Sequence, residues 1–365
     1  MQLDFHYYAT YCAAALAGYS HEECMDICYS AQFVDICTKT FLQRIGGPLG
    51  AATTQLQLEM MDARTDAVGL HDITRIWASF HFLPYDLNAE VKGTKKYRSK
   101  YRLICGPNGK LVGETVELAK DKSLQAVGIA MHIMADTWAH RYFAGTPSLV
   151  INNTNRHFYE LKTENGVETE VKVIFKHLPG ALDDLDNGVF INSIYQSGEN
   201  SIMNLGHGRA GHFPDYSFAR YKYLPAWADY KEFIKDNPTE YYSAFCQMVY
   251  AMRYLRGEEE EFKLDTYATD LVEPHRERIQ SIMTVRRLDA CDDWREFGES
   301  LTGQSIDEFS VEKYEDEYRN AAVEDKEGTF LGKFISAAMA QKSMVTNRIY
   351  KSGSKLAGKS VEADK

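Results

Sequence analysis

The chain has 365 residues, of which 44% are hydrophobic and 25% are charged, and its formal net charge is −11. This composition is sufficient for a packed core and argues against intrinsic disorder. The negative charge argues against a protein that coats nucleic acid or an anionic membrane through bulk electrostatics, although it leaves a local basic groove open.

The N-terminal 45 residues predict two helices separated by Gly18. The first spans about residues 7–16 and is rich in Ala and Tyr. The second begins after a capping box formed by Ser20 and Glu23 and is expected to cover residues 21–42.

The N-terminus and the cysteines suggest a cellular location. The N-terminus lacks a basic start, so we expect no signal peptide, and no run of about 18 apolar residues predicts a transmembrane helix. The seven cysteines form no tandem Cys-x-x-Cys pairs, which favours buried thiols in a reducing compartment over disulfides or a thiolate metal site. A cytoplasmic location is expected, with export by a signal-less route left open.

Two segments predict β-hairpins. Residues 97–105 and 110–118 flank a Pro-Asn-Gly turn, and residues 158–162 and 169–175 flank a Glu-Asn-Gly turn. Turns that contain glycine between two such runs are typical of hairpins. Because the rest of the chain is mainly of helical character, both are expected to be small insertions in a helical fold.

The most apolar helix is predicted over residues 123–143 and carries His132, Asp136 and His140. Residues at i, i+4 and i+8 advance about 40° per step, so the three side chains share one stripe. A His-Asp-His stripe suits a divalent ion such as zinc, and a buried aspartate is costly unless a cation or several donors satisfy it. In the alternative interpretation, Asp136 bonds a Trp or Tyr side chain and the histidines lie partly at the surface.

A long segment without clear periodicity, residues 182–225, contains the sequence GHGRAGHFPD. Long irregular connections often serve function, and glycines let a backbone pass close to a ligand. We expect His207, His212 and Asp215 to complete a metal shell, and Arg209 to pair with a phosphate. A Gly-rich turn with exposed histidines is the alternative.

Other candidate ligands are His6, Asp35 and His71, each set in or beside an apolar segment. Taken singly, such residues are more often satisfied core residues than ligands, but together they outnumber what a core of this size tolerates. His81 lies between two phenylalanines and is the weaker candidate, because it can equally serve as a packing residue or support a ligand.

The C-terminal part predicts further helices, and with the rest of the chain it indicates a mainly α, multi-helix bundle. The expected helices cover residues 225–235, 238–256, 268–287 and 292–302, followed by charged helical stretches to about residue 350. Three parts are predicted: a metal-binding helical core with hairpin insertions (1–225), C-terminal helices packed on that core and available to a protein partner (226–350), and a disordered tail (351–365).

Several motifs carry a resemblance to known families. The chain resembles an uncharacterised bacterial family over most of residues 1–225, in the motifs DFHYYATYCAAALAG, FHFLP, GIAMHIMADTWAH and GHGRAGHFPD. The helix motif is also similar to the His-x3-Asp element of the zinc-dependent phospholipases C and the S1/P1 nucleases. Those are all-α enzymes that bind up to three zinc ions through His and Asp.

The second resemblance implies roles for particular residues. His132 and Asp136 would correspond to the shared element, while His6 and His71 would match its earlier histidines. Asp35 or Asp215 would match its further carboxylates. The sequence departs from the pattern in having His140 as a third residue on the helix, and in lacking the N-terminal Trp ligand, the secretion signal and the closing His-x3-Glu.

The resemblance implies a metal-dependent hydrolase of phosphate esters, similar to phospholipase C or a nuclease. One to three divalent ions, expected to be zinc, would bind a small phosphate ester or a lipid headgroup and activate water. Asp35 or Asp215 would orient that water, and Arg209 would neutralise a phosphate oxygen. The alternative is a non-catalytic helical interaction protein that a metal stabilises. An HD-type phosphohydrolase is disfavoured, because an apolar stretch rather than a ligand helix follows His71.

Overall fold

The computed structural model describes residues 1–64, 67–154, 157–164, 166–178 and 180–359. It is mainly helical, and the chain begins with a π-helical turn at Asp4–Ala9. The helices are α1 (Thr10–Leu16), α2 (His21–Phe33), α3 (Lys39–Ile45), α4 (Gln57–Ala63), α5 (Ala67–Phe80), α6 (Lys95–Tyr101), α7 (Lys110–Ala119), α8 (Leu124–Ala139), α9 (Leu149–Asn152), α10 (Asn237–Leu255), α11 (Thr269–Val272), α12 (Arg276–Thr284), α13 (Cys291–Thr302), α14 (Glu315–Asn320) and α15 (Phe330–Lys351). The strands are β1 (Phe158–Glu164), β2 (Val167–Lys172), β3 (Ile174–Lys176), β4 (Val189–Ile191), β5 (Arg220–Tyr223) and β6 (Phe233–Asp236).

Helix α8 lies at the centre of the bundle. It packs against α2, α7, α10 and α15, and every residue from Gln125 to Ala139 is buried. Ser123 begins the helix by accepting a hydrogen bond from the backbone of Ala126. A Cβ atom at Gly128 would lie 2.4 Å from the carbonyl oxygen of Ile27, so glycine at this position lets the backbones of α2 and α8 approach closely.

The predicted second helix is shorter than expected. The capping box of Ser20 and Glu23 is present, but α2 ends at Phe33, and α3 begins after Thr38, whose side chain accepts from the backbone of Phe41. The prediction of one helix through residue 42 is therefore wrong. Asp35 lies in the turn between α2 and α3 rather than in mid-helix. The direction of its side chain is therefore not fixed by helical periodicity.

Of the two predicted hairpins, one is confirmed. Strands β1 and β2 pair in antiparallel register from Tyr159↔Lys172 to Glu164↔Val167, and the antiparallel sheet continues through β5 and β6 in the order β2-β1-β5-β6. A separate parallel pair joins β3 to β4.

The other hairpin prediction, over residues 97–118, is wrong, because these segments form the helices α6 and α7. Gly109 of the Pro-Asn-Gly turn is the N-cap residue of α7. The buried side chains of α7 recur every three to four residues, as on one face of a helix, and not at every second residue, as in a strand. They are Leu111, Val112, Thr115, Val116 and Ala119.

The predicted helix over residues 225–235 is also wrong. A short 3₁₀ turn at Ala226–Ala228 is followed by Asp229 and Tyr230, both with positive φ, 55° and 56°. Left-handed residues end a right-handed helix, and the chain then enters β6, which pairs with β5.

The C-terminal helices share a core with the N-terminal ones. A single hydrophobic cluster joins side chains from residues 1–139 to side chains from residues 241–357. Residues 352–359 pack against the helical core. Ser354 and Ala357 are buried, and Arg75 of α5 donates a hydrogen bond to the carbonyl oxygen of Ala357. The predicted disordered tail therefore does not begin at residue 351, and residues 360–365 lie outside the described residues.

Two smaller findings complete the fold. All seven cysteines are free, and only Cys291 is partly exposed. Among the described residues, no helix combines the length and the apolar character that crossing a membrane requires.

Candidate metal centre

Histidine and aspartate side chains from distant parts of the sequence converge at the C-terminal half of α8. Among the described residues they form three sets, of which the first two share His132, and within each set the ligand nitrogen and carboxylate oxygen atoms lie within 4.8 Å of one another. The sets are His6, Asp35 and His132; His81, His132 and Asp136; and His140, His207 and Asp215. The stripe predicted on α8 thus contributes to every set.

Each of the other side chains reaches the cluster from a break in regular structure. His6 lies in the π-helical turn, a helical form that is often found at functional sites. Asp35 lies in the turn after α2, and His81 immediately follows α5. Asp215 belongs to a 3₁₀ turn, and His207 follows Gly206, whose positive φ of 52° favours glycine.

Asp136 belongs to the second set and borders His6 of the first. Its Oδ2 atom is 3.2 Å from Nε2 of His132, 3.3 Å from Nδ1 of His81 and 3.6 Å from Nδ1 of His140. Its Oδ1 atom faces the other way and lies 3.2 Å from Nε2 of His6. The carboxylate therefore offers one oxygen atom to each of two neighbouring groups of imidazoles.

Asp215 occupies a similar position in the third set. Its Oδ1 atom lies 3.0 Å from Nε2 of His140, and its Oδ2 atom lies 3.5 Å from Nε2 of His207. Since His140 also borders Asp136, the third set adjoins the first two. The arrangement is one continuous polar region rather than separate ion pairs.

Backbone carbonyl groups orient three of the imidazoles. Nδ1 of His140 donates to the carbonyl oxygen of His81 at 2.6 Å, and Nδ1 of His207 donates to Gly211 at 2.9 Å. Nε2 of His81 donates to Thr53 at 3.1 Å. Each ring therefore has its other nitrogen on the side of the carboxylates, which is the usual arrangement of a metal-ligating histidine.

The remaining two imidazoles, His6 and His132, are fully buried and poorly satisfied. Among the described residues, neither nitrogen of His6 and not Nδ1 of His132 has a hydrogen-bond partner; Nε2 of His6 lies near Asp136 without hydrogen-bond geometry. Buried polar atoms normally have partners, because an unsatisfied one costs about 1–3 kcal/mol. An unpaired imidazole nitrogen 3.2 Å from a carboxylate oxygen, as Nε2 of His6 is from Asp136, is the pattern expected where a cation is the partner of both.

The distances in the cluster fit ligands that share an ion. Ligand atoms about 2.0–2.1 Å from a tetrahedral metal are separated by about 3.4 Å. The distances of 3.2 and 3.3 Å from Oδ2 of Asp136 to Nε2 of His132 and Nδ1 of His81 are at the long end of the range for hydrogen bonds and close to this separation. The residues present can therefore hold a metal ion.

The protonation states also suit a metal ligand set. Burial, and then the neighbouring imidazole of His132, lower the pKa of His6 from 6.5 to about 3. Burial lowers the pKa of His207 from 6.5 to about 4. Burial opposes ionisation of Asp136 and Asp215, but the surrounding imidazoles and the Met1 amine outweigh it and hold both pKa values well below the usual 3.8. Neutral imidazole and ionised carboxylate are the forms that bind a metal.

The amino group of Met1 also reaches the cluster, a contact that the sequence analysis missed. Its nitrogen lies 2.8 Å from Oδ1 of Asp136 and 3.2 Å from Oδ1 of Asp215. Burial disfavours the charged amine, but these carboxylates outweigh burial and raise its pKa to about 11. A positive charge between the two aspartates is thus strongly stabilised.

The structure places two predicted ligands outside the cluster. His71 lies on α5 beside Gly358, nine residues and roughly 14 Å before the end of that helix, where His81 follows. His212 points instead to Asp183, with Nδ1 at 3.2 Å from a carboxylate oxygen. The cluster contains His81 instead of His71, although the sequence around His81 favours a ligand less strongly.

Arg209 does not lie where it could bind a phosphate, the role that the sequence predicted. The side chain is fully buried. Its Nε and one terminal nitrogen donate to Oδ1 of Asn204 at 2.8 and 2.7 Å, and the same terminal nitrogen donates to the carbonyl oxygen of Gln196. The guanidinium group therefore joins residues 196 and 204 of the same irregular segment and lies against the ring of Tyr195. Its hydrogen bonds stabilise this loop.

Comparisons with known proteins identify a family whose function is unknown. The model of a family described as "Family of unknown function (DUF6765)" matches residues 1–349. No curated protein and no solved structure matches the chain. The similarity of the helix motif to the phospholipases C and the S1/P1 nucleases therefore remains a prediction.

Proposed function

The chain belongs to this family of unknown function, and we propose that it is a zinc-dependent hydrolase of phosphate esters. The observation that carries the proposal is the fully buried imidazole of His6, which has no hydrogen-bond partner among the described residues although its Nε2 atom lies 3.2 Å from the ionised carboxylate of Asp136. His132, also fully buried, places its Nε2 atom 3.2 Å from the other oxygen of that carboxylate. A fold keeps such a costly arrangement when a cation satisfies it.

The partial exposure of one side of the cluster supports a catalytic rather than a closed structural ion. The side chains of His6, His132 and Asp136 are at most 1% exposed, whereas Asp35 is 30% exposed, His207 17% and Asp215 10%. Structural zinc sites are closed by protein ligands, while catalytic sites keep a position open to water or substrate. The exposed carboxylates offer such an opening.

The donor set favours zinc among the divalent ions. Imidazole nitrogen together with carboxylate oxygen is a combination that zinc accepts readily, whereas magnesium and calcium prefer oxygen ligands alone. Adjoining ligand sets, two of which share His132 while His140 of the third borders Asp136, suit more than one ion. When bound, such ions supply Lewis-acid polarisation of a phosphoryl oxygen and lower the pKa of water.

The protein's own side chains then supply orientation and proton handling. Asp35, the most exposed carboxylate of the cluster, lies within reach of solvent and of His81 at 3.7 Å, so it is placed to orient an attacking water molecule. Asp215 is the second candidate for that role. Because Arg209 is engaged with Asn204, neutralisation of the phosphate is left to the metal centre.

An assay with a matched control tests this function. Zinc-loaded protein should hydrolyse a chromogenic phosphodiester, and His132→Ala should lower the rate by at least about 100-fold, the order expected when a metal ligand is lost. His177→Ala is the control, because His177 is exposed and bonded only to the backbone of Asn192 in the contacts described. An active His132→Ala protein, or an inactive wild type with zinc bound, would overturn the proposal.

The complete burial of His6, His132 and Asp136 favours one alternative, a metal that holds the fold of a non-catalytic interaction protein. In that case removing the ion should unfold the chain. The C-terminal helices would then be the surface for a protein partner. The metal-removal experiment in the Discussion separates the two hypotheses.

A further inference from the structure

A groove opens at the surface beside Asp35. Its volume is about 320 Å³, which lies at the lower end of the range for small-molecule sites. It is lined by the apolar side chains of Ile36, Phe41, Leu56 and Val311 together with Asp35, Thr38, Thr40 and Arg44. Segments from the α2–α3 turn, α3, the start of α4 and the chain before α14 thus meet around one apolar depression.

Asp35 belongs both to this groove and to the candidate metal centre. Its Oδ1 atom lies 3.7 Å from Nδ1 of His81 and 4.0 Å from Nε2 of His132. Its side chain is 30% exposed, more than that of any other residue in the three ligand sets. A molecule in the groove therefore contacts the most exposed carboxylate of the cluster.

The charges around the groove favour a neutral occupant. Among the residues that the structure describes, Arg44 is the one basic side chain in the lining. Its guanidinium group already pairs with Glu315 and lies 5.3 Å from the ring centroid of Phe41. A polyanionic substrate that extended from the cluster into the groove would contact apolar side chains and an arginine whose charge Glu315 already neutralises. A hydrocarbon or aromatic group would instead bury apolar surface against the four apolar side chains.

We propose that this groove binds the alkyl or aryl group of the substrate, so that the protein selects phosphate esters of apolar alcohols over polynucleotides. The inference rests on the proposed function, because the phosphate itself would bind at the cluster that Asp35 adjoins. Leu56 then determines specificity, since its side chain lines the groove and remains 47% exposed without an occupant.

Binding of alkylphosphonates, which are not hydrolysed, tests the groove without relying on turnover. Calorimetry would compare methyl-, butyl- and hexylphosphonate on the zinc-loaded protein. Affinity should rise about three- to fourfold for each methylene group that is buried. Leu56→Ser should remove most of this gain while leaving the affinity for methylphosphonate unchanged.

Leu58→Ser is the matched control, because Leu58 lies on α4, is 73% exposed and does not line the groove. This variant should keep the full dependence on chain length. Equal affinity for the three phosphonates, or equal effects of the two substitutions, would overturn the proposal. Thermal melting of both variants checks that each is folded.

The same proteins separate the two proposals. If butylphosphonate binds more tightly than methylphosphonate but no phosphodiester is hydrolysed, the groove is supported and the hydrolase function fails. If the wild type cleaves a dinucleotide as fast as a hexyl ester and shows no chain-length effect in binding, the function stands and the groove proposal fails.

Discussion

The imidazole rings of His6 and His132 stack face to face, with their centroids 3.8 Å apart and 19° between their planes. Both rings are fully buried, and a charge on one would repel a charge on the other. That proximity, after burial, is why the pKa of His6 is lowered to about 3. A neutral His6 imidazole held against the ring of His132 beside an ionised aspartate is ready to bind a cation.

Replacing His6 by leucine should separate metal binding from stability. The substitution removes two buried ring nitrogens that lack hydrogen-bond partners among the described residues, so the metal-free variant should be at least as stable as the metal-free wild type. A gain of about 1–3 kcal/mol is the expected order. Urea unfolding after chelation measures it. A large loss of stability would show that His6 contributes to the fold through contacts other than a cation.

Chelating the metal should destabilise the chain without unfolding it at 25 °C. A ligand present at 100 times its dissociation constant stabilises the folded state by about 2.7 kcal/mol, so the melting temperature should fall by several degrees. Circular dichroism should still show helices, because the core that surrounds α8 is formed by apolar side chains from many helices. Complete loss of helical signal on chelation would favour the structural alternative.

Two glycine substitutions test how α8 is positioned. In Gly128→Ala, the new Cβ would lie 2.4 Å from the carbonyl oxygen of Ile27 and 2.6 Å from Cβ of Ser30. Separating α2 from α8 should cost about 1–3 kcal/mol and weaken zinc binding, since Asp35 follows α2. In the control Gly113→Ala on α7, the nearest contact is 3.9 Å, so stability should be unchanged or higher. Equal effects would contradict this account.

Lys342 should make stability depend on pH in the alkaline range. Burial lowers its pKa from 10.5 to about 8, although its Nζ donates to the carbonyl oxygen of Ala52 at 2.7 Å. Between these pH values the unfolded chain binds a proton that the folded chain releases, so stability should rise as the pH rises through this window.

The comparison with Lys342→Met isolates this effect. The free energy of unfolding of the wild type, relative to the variant, should increase by up to about 3 kcal/mol from pH 8 to pH 10.5. Lys333→Met, at an exposed position on α15, controls for the loss of a lysine charge. A difference between wild type and Lys342→Met that stays constant with pH would contradict the prediction.

The local part of the site could be predicted from the sequence. His132, Asp136 and His140 share one stripe because helical periodicity alone fixes their relative directions, and the apolar residues around them indicate burial. The second hairpin was predictable for the same reason, since its turn and its two strands are neighbours in sequence. Each of these features depends on contacts between residues that are close along the chain.

The long-range part could not be predicted in this way. His81 and His71 both follow apolar or helical segments, and only the packing of α5 decides that His81 reaches Asp136 at 3.3 Å. The buried position of Arg209 depends on Asn204, a pairing that no periodicity reveals. Residues 110–119, by contrast, have apolar side chains at helical spacing. The prediction of a hairpin there relied too heavily on the Pro-Asn-Gly turn.

The metal content of the purified protein tests the central claim most directly. Protein prepared without added metal and analysed for elements should contain at least one zinc ion per chain. Asp136→Asn should lose most of it, because that carboxylate borders four imidazoles, while His177→Ala should retain it. A folded wild type that neither contains a divalent metal nor takes up zinc in equilibrium dialysis would contradict the account.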